Sequence, residues 1–313
     1  IIATFHFTNL IRMRLRSLQA SSLRSNKMHK ICFLSMDDLG DFVTDDHLAI
    51  EPLRKLGWNV ETVSWRKKNV EWEKYEAVII RTPWDYHYDT ESFLQVLEAI
   101  EKSGTRLENS VEIVKWNSSK KYLAELEGKG VKIVPTIWGS KLIDEELARS
   151  WFENFDSNEV IIKPLVSATA KDTYRIKKFL PDLKEIFRGR DYMIQPLMKN
   201  IISEGEYSLF FFGGEFSHAI LKTPRQDDFR VQEDFGGVNK SIEPSSKLLT
   251  AAEKALNAIG PKLLYGRVDL VRDEKDEFAL MELELIEPAL YFRMDAESPK
   301  RFAKTLDRWM NEL

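Results

Sequence analysis

The chain has 313 residues, of which 43% are hydrophobic and 11% aromatic, so it can bury a large core spread over two or three lobes. Its formal net charge of −4 and its pI near 5.9 exclude the basic face that a general nucleic-acid binder needs. The single cysteine, Cys32, excludes a disulfide framework, and no apolar stretch is long enough to span a bilayer. We expect a cytoplasmic protein that binds neither nucleic acid nor membrane.

Residues 1–27 contain Arg, Ser and Leu but no Asp or Glu, and they begin with Ile. This composition resembles a transit peptide. The alternative is that Met28 is the true start and that the preceding residues are translated upstream sequence. We expect an extension that is disordered or not part of the functional protein.

A regular pattern begins at Met28. The apolar strand KICFLS, the helix DDHLAIEPLRKLG and the strands WNVETVSW and YEAVIIR alternate, which predicts a βαβ unit with a parallel sheet. The turn after the first strand has no G-x-G-x-x-G, so the dinucleotide fingerprint is absent. The next helix, TESFLQVLEAIEKSG, ends at Gly104. These elements predict an N-terminal substrate-binding domain over 28–115.

Two further domains are expected, over 116–190 and 191–313. The first contains the helix SSKKYLAELEGKG, the strand VKIVPT, the helix DEELARSWFENF and the strand EVIIKPL. In the second, DYMIQPLM, YSLFFFGGEFSHAIL, YGRVDLVRD and EFALMELELIEP are typical of antiparallel strands joined by short turns. Two helices, SSKLLTAAEKALNAIG and SPKRFAKTLDRWMNEL, are predicted to pack on them. The fold class is therefore α/β (α+β).

The strand MELEL alternates between an acidic and an apolar face. Glu282 and Glu284 point one way, and Met281, Leu283 and Leu285 point the other. The preceding strand, GRVDLV, is built in the same way. The pattern predicts a hairpin with an oily side and a charged side.

The pairing of these strands decides which charges meet. A two-residue loop at the Lys-Asp of RDEKDE places Asp269 opposite Glu282 and Arg267 opposite Glu284. Converging carboxylates raise one another's pKa values unless a cation offsets them, and Mg²⁺ prefers carboxylate oxygens. The alternative is the solvated face of an edge hairpin, and spacing alone leaves both open. For Glu287 we favour that alternative or a supporting role.

Two lysines suggest an anion site. Lys163 ends the apolar strand EVIIKPL, where a lysine is costly unless it meets an anion. Lys120 is predicted in the first turn of a helix capped by Asn117 or Ser118, an end that attracts anions. The alternative for either lysine alone is that it reaches the surface.

The order of these motifs resembles the ATP-grasp superfamily, in particular its glutathione synthetase-like branch and the cycloserine synthetase-like ligases. Between the two lysines and MELEL stand YMIQPLM, EGEYS, HAILKTP, DFRVQEDFGG and VDLV. The thirteen-residue step from Asp269 to Glu282, followed by Glu284, is the most specific part, and Arg230 before the Gly-Gly of DFGG is the next. The resemblance implies an ATP-grasp fold in which two α+β lobes grip ATP beside the N-terminal lobe.

The resemblance also implies a role for individual residues. At the nucleotide, Lys120 and Lys163 would contact the phosphates, and Glu206 would bind the ribose. Adenine would be held by the main chain of Gln195, Pro196, Leu197 and Met198. Around the reacting phosphoryl group, Lys222 and Arg230 would clamp the phosphate oxygens. The ligands of Mg²⁺ or Mn²⁺ would be Asp269, Glu282 and Glu284.

Two features depart from the common pattern. The family's loop after the strand lysine is usually rich in glycine, whereas VSATAKDTYRI, over 166–176, has none. Glu282-x-Glu284 stands where many members have Glu-x-Asn, as we expect of the cycloserine-type branch. The additional charge favours Mg²⁺.

The family's reaction is ATP-dependent activation of a carboxylate to an acyl phosphate, which an amine then displaces to form an amide or a ring. The partners are expected to be small-molecule carboxylate and amine substrates, with a homo-oligomer possible as in many relatives. In IIRTPWDYHY, Arg81 is a candidate to pair with a substrate carboxylate, and Trp84, Asp85 and Tyr86 to shape the pocket. The alternative for Trp84 and Tyr86 is packing between lobes. His218 is expected to be structural.

Three other functions remain open from sequence. A nucleotide-binding protein without ligase activity is suggested only by the glycine-free loop. A metal-dependent phosphohydrolase would leave the two lysines and the adenine segment unexplained. A ligase that modifies a peptide or protein terminus would use the same phosphate machinery.

Overall fold

The structure is a computed structural model that describes residues 28–140, 142–167, 171–226 and 228–312. Our expectation for residues 1–27 therefore lies outside the described residues. No helix in these ranges is both long and apolar enough to cross a membrane.

Four parallel strands form the N-terminal sheet, in the order β2-β1-β3-β4. They are β1 (His29–Ser35), β2 (Trp58–Ser64), β3 (Ala77–Thr82) and β4 (Arg106–Glu108), with helices α1 (His47–Lys55) and α2 (Thr90–Lys102). Helix α2 begins where the Asp89 side chain accepts from the Ser92 N–H at 3.2 Å, and Gly104 follows it at φ 84°. The predicted βαβ arrangement is confirmed.

The middle sheet is antiparallel, in the order β5-β8-β6-β7. Its strands are β5 (Ile137–Gly139), β6 (Val160–Pro164), β7 (Tyr174–Ile176) and β8 (Tyr192–Pro196). The helices of this region are α3 (Val111–Asn117), α4 (Tyr122–Gly128), α5 (Glu145–Phe155) and α6 (Leu183–Ile186). Strand β8, which we had grouped with the last third of the chain, pairs here, so the middle sheet continues past residue 190.

The predicted strand VKIVPT is wrong. Ile133 makes only an isolated bridge to Leu280. The Val134 N–H donates to the Leu280 carbonyl at 3.0 Å, and the Leu280 N–H donates to Lys132 at 2.8 Å. The apolar residues of this segment pack into the core beside the last strand, so their pattern reports burial and not membership of a sheet.

The C-terminal sheet is antiparallel, in the order β11-β10-β9-β12-β13. Its strands are β9 (Glu206–Phe212), β10 (Glu215–Thr223), β11 (Val238–Ile242), β12 (Tyr265–Arg272) and β13 (Phe278–Glu284). Its helices are α7 (Lys199–Ser203), α8 (Ser246–Asn257) and α9 (Ser298–Asn311). Short 3₁₀ turns lie at Trp72–Lys74, Tyr86–Tyr88, Glu233–Phe235 and Phe292–Met294. Gly213 and Gly214, at φ 60° and 84°, close the β9–β10 hairpin as two-residue turns of type I′ require.

The predicted pairing of β12 with β13 is confirmed. Asp269 lies opposite Glu282, and Arg267 lies opposite Glu284. The apolar partners Val268 and Leu283 are buried on the opposite face. Burial of one face is what fixes the register, because a slip of one residue would bury the charges.

The connection between these strands differs from the predicted two-residue loop. The turn spans 273–277 and contains Asp276 in the left-handed region at φ 59°. The pairing then shifts by one residue between Asp269 and Leu270, which leaves Met281 as an additional residue on β13. The longer loop and the bulge offset each other. The bulge also places Met281 on the wall of the cleft, where strict alternation had predicted it on the apolar face.

The segment after β13 is tied to its surroundings by three main-chain carbonyls. Ile286 accepts from the Tyr265 hydroxyl, Glu287 accepts from the Trp84 indole N–H and Pro288 accepts from Nη2 of Arg81, each at 2.9 Å. Of these donors, Arg81 lies near the end of β3, and Trp84 lies just after that strand of the N-terminal sheet. The segment 286–288 is therefore fixed where the N-terminal and C-terminal sheets meet.

Candidate active site

One cleft collects most of the predicted site residues. It has a volume of about 310 Å³. Fourteen of the sixteen candidates line it: Trp84, Tyr86, Lys120, Lys163, Gln195, Pro196, Leu197, Met198, Glu206, Lys222, Arg230, Asp269, Glu282 and Glu284. Arg81 and Asp85 do not. The cleft therefore joins residues that lie far apart in the sequence.

Asp269 is a buried carboxylate held by two side chains. Arg267 donates from Nε to Oδ1 and from Nη2 to Oδ2, both at 2.9 Å, and the Ser208 hydroxyl donates to Oδ1 at 2.5 Å. Burial alone would raise the pKa of Asp269, but Arg267 and Lys222 outweigh it and lower the pKa. Asp269 is therefore ionised at neutral pH.

Arg267 also contacts Glu284 through Nη2, so one guanidinium bridges the two carboxylates. Burial raises the pKa of Glu284 to about 7, although Arg267 opposes that rise. Our sequence analysis placed Arg267 opposite Glu284 but gave it no role. The Arg-x-Asp spacing on a strand was the available signal, because it puts both side chains on one face.

Lys120 pairs with Glu282, with Nζ 3.0 Å from Oε1, and donates to the Ser167 carbonyl at 3.1 Å. The predicted helix is present as α4, but its predicted start is wrong, because α3 ends at Asn117 and α4 begins only at Tyr122. Lys120 lies in the intervening turn, whose position is fixed by its own N–H donating to Leu165 at 2.8 Å. It reaches the cleft through this turn, without help from a helix N-terminus.

Lys163 stands near the end of β6, as predicted, with its side chain enclosed by the cleft. Among the described residues, no carboxylate lies within 4 Å of its ammonium group. Burial lowers the pKa of Lys163, and the charge of Lys120 adds to that effect against the attraction of Glu282. This lysine is the most weakly compensated cation of the phosphate-facing set.

Lys222 and Glu206 form a buried ion pair, with Nζ 3.1 Å from Oε1, and Lys222 lies 3.8 Å from Asp269 Oδ1. Although burial and Arg267 act to lower it, Asp269 and Glu206 raise the pKa of Lys222 to about 12. Burial raises the pKa of Glu206, and Lys222 acts against that rise. The pair links the start of β9 to the carboxylate of Asp269 on β12.

The predicted adenine segment leaves the middle sheet at the edge of the cleft. The Leu197 N–H donates to Glu159 at 3.2 Å, and the Gln195 side chain donates to the Thr136 hydroxyl at 3.0 Å. The Leu197 contact continues the β8–β6 ladder past Pro196, and the Gln195 contact ties β8 to the residue before β5. The main chain at this segment is therefore held rigidly along one wall.

Arg230 lies on the loop before β11. It grips Asp228 through Nε at 3.1 Å and Nη2 at 2.8 Å, and its guanidinium lies 3.7 Å from the centre of the Phe235 ring. About a third of the Arg230 side chain is exposed to the cleft. Asp228 therefore positions the guanidinium, and part of the side chain remains accessible in the cleft wall.

Arg81 and Asp85 are engaged outside the cleft. Arg81 is 1% exposed, and its Nη2 contacts Asp46 Oδ1 at 3.0 Å besides Pro288. Asp85 accepts from the Trp65 indole at 2.7 Å and from Arg66 at 2.8 Å. Both residues fix the loop that carries Trp84 and Tyr86 into the cleft.

Glu287 is a cleft residue, where sequence reasoning favoured a solvated or supporting position. Burial, reinforced by the charges of Glu284 and Glu282, raises its pKa to about 8. Burial and the charge of Glu287 also raise the pKa of Tyr86. The signal in the sequence was weak, because Glu287 follows the end of the alternating strand.

His218 is structural, as expected. The ring stacks on Phe210 with centroids 4.3 Å apart, and Nε2 lies 3.0 Å from the Leu290 carbonyl. Burial lowers its pKa to about 4, against the hydrogen bond to Leu290 that raises it. It does not line the cleft.

We expect His218→Gln to reduce the loss of unfolding free energy that the wild type shows as the pH falls from 6.5 to 4. The folded-state pKa lies near 4 and the ordinary value is 6.5, so the unfolded chain binds more protons between these pH values. Wild-type stability from this group is present above pH 6.5 and is lost as the pH falls towards 4, by about 3 kcal/mol at most. Urea unfolding at pH 4.5, 5.5 and 7 measures this. The exposed His47→Gln is the control, and equal pH slopes in wild type and His218→Gln would contradict the expectation.

The carboxylates fit a hard divalent cation by their chemistry. Among the described residues, no three His, Cys, Asp or Glu side chains already form a metal-binding group. Instead, Glu282 and Glu284 each bind a basic side chain through Oε1. No residue of the described ranges donates to Oε2 of either glutamate, so carboxylate oxygens of the kind that Mg²⁺ takes remain available.

Comparisons with known proteins find similar sequences and folds. Residues 31–109 match a family model described as the N-terminal domain of D-cycloserine synthetase DcsG. The cycloserine biosynthesis protein DcsG of Streptomyces lavendulae is 29% identical over 276 residues, covering 82% of this chain and 91% of that protein.

Solved structures extend the likeness to the whole described fold. The crystal structure of D-cycloserine synthetase DcsG superposes with a TM-score of 0.77 at 26% identity, covering 90% of this chain and 99% of the other. The ATP-grasp ligase PsnB, solved with a phosphomimetic variant of its minimal precursor, Mg and ADP, gives a TM-score of 0.63 at 16% identity. It covers 91% of this chain and 99% of PsnB, and it supports the fold alone. Together these comparisons support an ATP-grasp, cycloserine synthetase-like ligase.

Proposed function

We propose that the chain is an ATP- and Mg²⁺-dependent carboxylate–amine ligase. It acts through an acyl phosphate on a small amino-acid-like substrate and forms an amide or closes a ring. The observation that carries the proposal is one cleft in which three buried or enclosed lysines face three carboxylates. That arrangement suits phosphoryl transfer, which depends on positioning and charge neutralisation.

The nucleotide would lie between the middle and C-terminal sheets. The main chain of residues 195–198 would hold adenine, and Glu206 would bind the ribose hydroxyls. Lys120 and Lys163 would contact the phosphates. Lys163 supports this placement most strongly, because no described carboxylate pairs with it and a phosphate oxygen would compensate its buried charge.

Asp269, Glu282 and Glu284 would hold Mg²⁺. The ion supplies neutralisation of the phosphate charge. When it binds, Arg267 would exchange part of its contact with Asp269 and Glu284 for the acyl phosphate, whose oxygens suit a guanidinium fork. Arg230 and Lys222 would hold the same group from the other side.

The substrate would occupy the end of the cleft beside the N-terminal sheet, against Trp84 and Tyr86. Arg81 and Asp85 would act behind this wall, since their charged groups are already paired with protein. The sequence had suggested Arg81 as a direct partner of a substrate carboxylate. The buried Asp46 contact makes a positioning role the better proposal.

The glycine-free loop is compatible with catalysis. The described part of 166–176 reaches the left-handed region at Asp172, φ 55°, a conformation that Asp tolerates. Asp172 is held there by Arg190 at 2.7 Å. Asp172 thus supplies one left-handed residue to this loop without glycine, and residues 168–170 lie outside the described ranges.

A thermal melt and an ADP-release screen test the proposal. Mg·ATP is expected to raise the melting temperature, because a ligand of the folded state stabilises it by mass action. ADP is expected to form only when a suitable carboxylate is present. ADP release at the same rate without any carboxylate would indicate a phosphohydrolase, and the absence of any melting shift would contradict the ATP site.

A further inference from the structure

Glu287 occupies a fixed position at the inner end of the cleft. Its own carbonyl accepts from the Trp84 indole, and the carbonyls on either side accept from Tyr265 and Arg81. These three contacts hold the main chain across two sheets. The side chain therefore points into the cleft from a rigid base, and it has no part in the phosphate-facing set described above.

The Glu287 carboxyl has no basic partner in the described part of the protein. Asp269 and Glu284 share Arg267, and Glu282 pairs with Lys120. For Glu287, by contrast, no basic side chain in the described ranges comes within 4 Å. Burial without a cation disfavours the ionised form of this carboxyl, and a cationic ligand beside it would stabilise the carboxylate.

The wall around Glu287 suits an ammonium group. The Tyr86 side chain interacts with Glu287, and Trp84 lies beside it on the same loop. Aromatic faces attract cations, and a carboxylate next to them adds a charge-assisted hydrogen bond. The same cleft carries Lys120, Lys163 and Lys222, which would repel an ammonium group placed beside them. Glu287, held beside the loop after β3, is therefore a carboxyl that a cationic ligand can reach without displacing a protein cation.

We propose that Glu287, with Tyr86 and Trp84, forms a subsite that binds the ammonium group of an amino-acid or amine substrate and selects it over the corresponding hydroxy acid. This inference rests on the proposed function, because it assigns one end of that ligase site. It makes Glu287 a specificity-determining residue.

The test compares amino acids with their hydroxy acids. The probes are glycine and glycolate, D- and L-alanine with D- and L-lactate, and β-alanine with 3-hydroxypropionate, each added to protein saturated with Mg²⁺ and a non-hydrolysable ATP analogue. Thermal melts measure binding. At least one amino acid is expected to raise the melting temperature beyond the analogue alone, whereas its hydroxy acid is not.

Glu287→Gln keeps the size of the side chain and removes its charge. We expect it to weaken binding of that amino acid by about 10- to 100-fold, as loss of a charge-assisted hydrogen bond does, and to keep the response to the Mg·analogue. Glu287→Asp retains the charge and should retain the preference for the amino acid. Glu243→Gln, the same change at an exposed position outside the cleft, is the matched control.

Equal binding of an amino acid and its hydroxy acid would overturn the inference, as would a Glu287→Gln variant with unchanged affinity. A wild type that responds to the Mg·analogue but to no amino acid in the panel would also overturn it while leaving the ATP site intact. A wild type that does not respond to the Mg·analogue would contradict the proposed function instead. If Glu287→Gln fails to fold, the wild-type comparison of each pair still decides.

Discussion

Asp269→Asn is expected to lower Mg·ATP-dependent turnover by about 100-fold or more while the protein stays folded. Changing a group that only supports a metal ligand typically costs 10- to 100-fold, and a ligand itself should cost more. Asn keeps the shape of the side chain and removes the charge that draws a divalent cation. The effect is therefore on the metal and on the phosphates it carries.

The fold should survive because the cations around Asp269 keep other partners. Arg267 also contacts Glu284, and Lys222 pairs with Glu206 at 3.1 Å. Breaking a buried ion pair is most costly when it leaves one charge alone, which does not happen to either base here. The Ser208 hydroxyl can still donate to the Asn carbonyl oxygen.

The measurement is a melt with and without Mg·ATP, followed by ADP release at saturating substrate. Asp276→Asn is the matched control, because it makes the same change on the same hairpin at a turn residue that pairs with the surface residue Arg272. Its left-handed backbone at φ 59° also suits Asn. Unchanged ADP production in Asp269→Asn would remove this aspartate from the site.

The β12–β13 pairing shows what local sequence can predict. Alternation excluded a slip of one residue, because that slip would bury charge, and the predicted two-residue loop then selected Asp269 opposite Glu282. The loop length was wrong, and the bulge at Met281 compensated for it. A bulge leaves no mark in the alternation of MELEL, so its effect on Met281 was not predictable.

Arg81 shows what local sequence cannot predict. Its place at the end of a buried strand suggested a substrate contact, but its partners are Asp46, 35 positions away, and the carbonyl of Pro288, 207 positions away. Such partners are set by how the N-terminal and C-terminal sheets meet. The same contact between the two sheets places Glu287 in the cleft, whereas the sequence pattern had favoured a solvated or supporting position.

Lys163→Met is expected to separate binding from stability. Removing the ammonium should weaken Mg·ATP binding by about 10- to 100-fold, because a charge-assisted hydrogen bond to a phosphate contributes roughly 1.5–3 kcal/mol. Without nucleotide, the variant should be more stable than the wild type at neutral pH. The reason is that burying the Lys163 charge is unfavourable, as its lowered pKa shows, and Met fills the same space without a charge.

The sign of the pH dependence follows from the same shift. Lys163 has a folded-state pKa below its ordinary 10.5, so the unfolded chain binds more protons between those two pH values. Wild-type stability from this group should rise as the pH rises through the lowered pKa towards 10.5, and the Met variant should lack that rise. Lys177→Met, at a surface lysine paired with Glu159 at 3.0 Å, is the control for loss of a lysine on the same lobe. A Lys163→Met protein that melts below the wild type without nucleotide, yet keeps the full Mg·ATP shift, would show that this lysine stabilises the fold and does not bind phosphate.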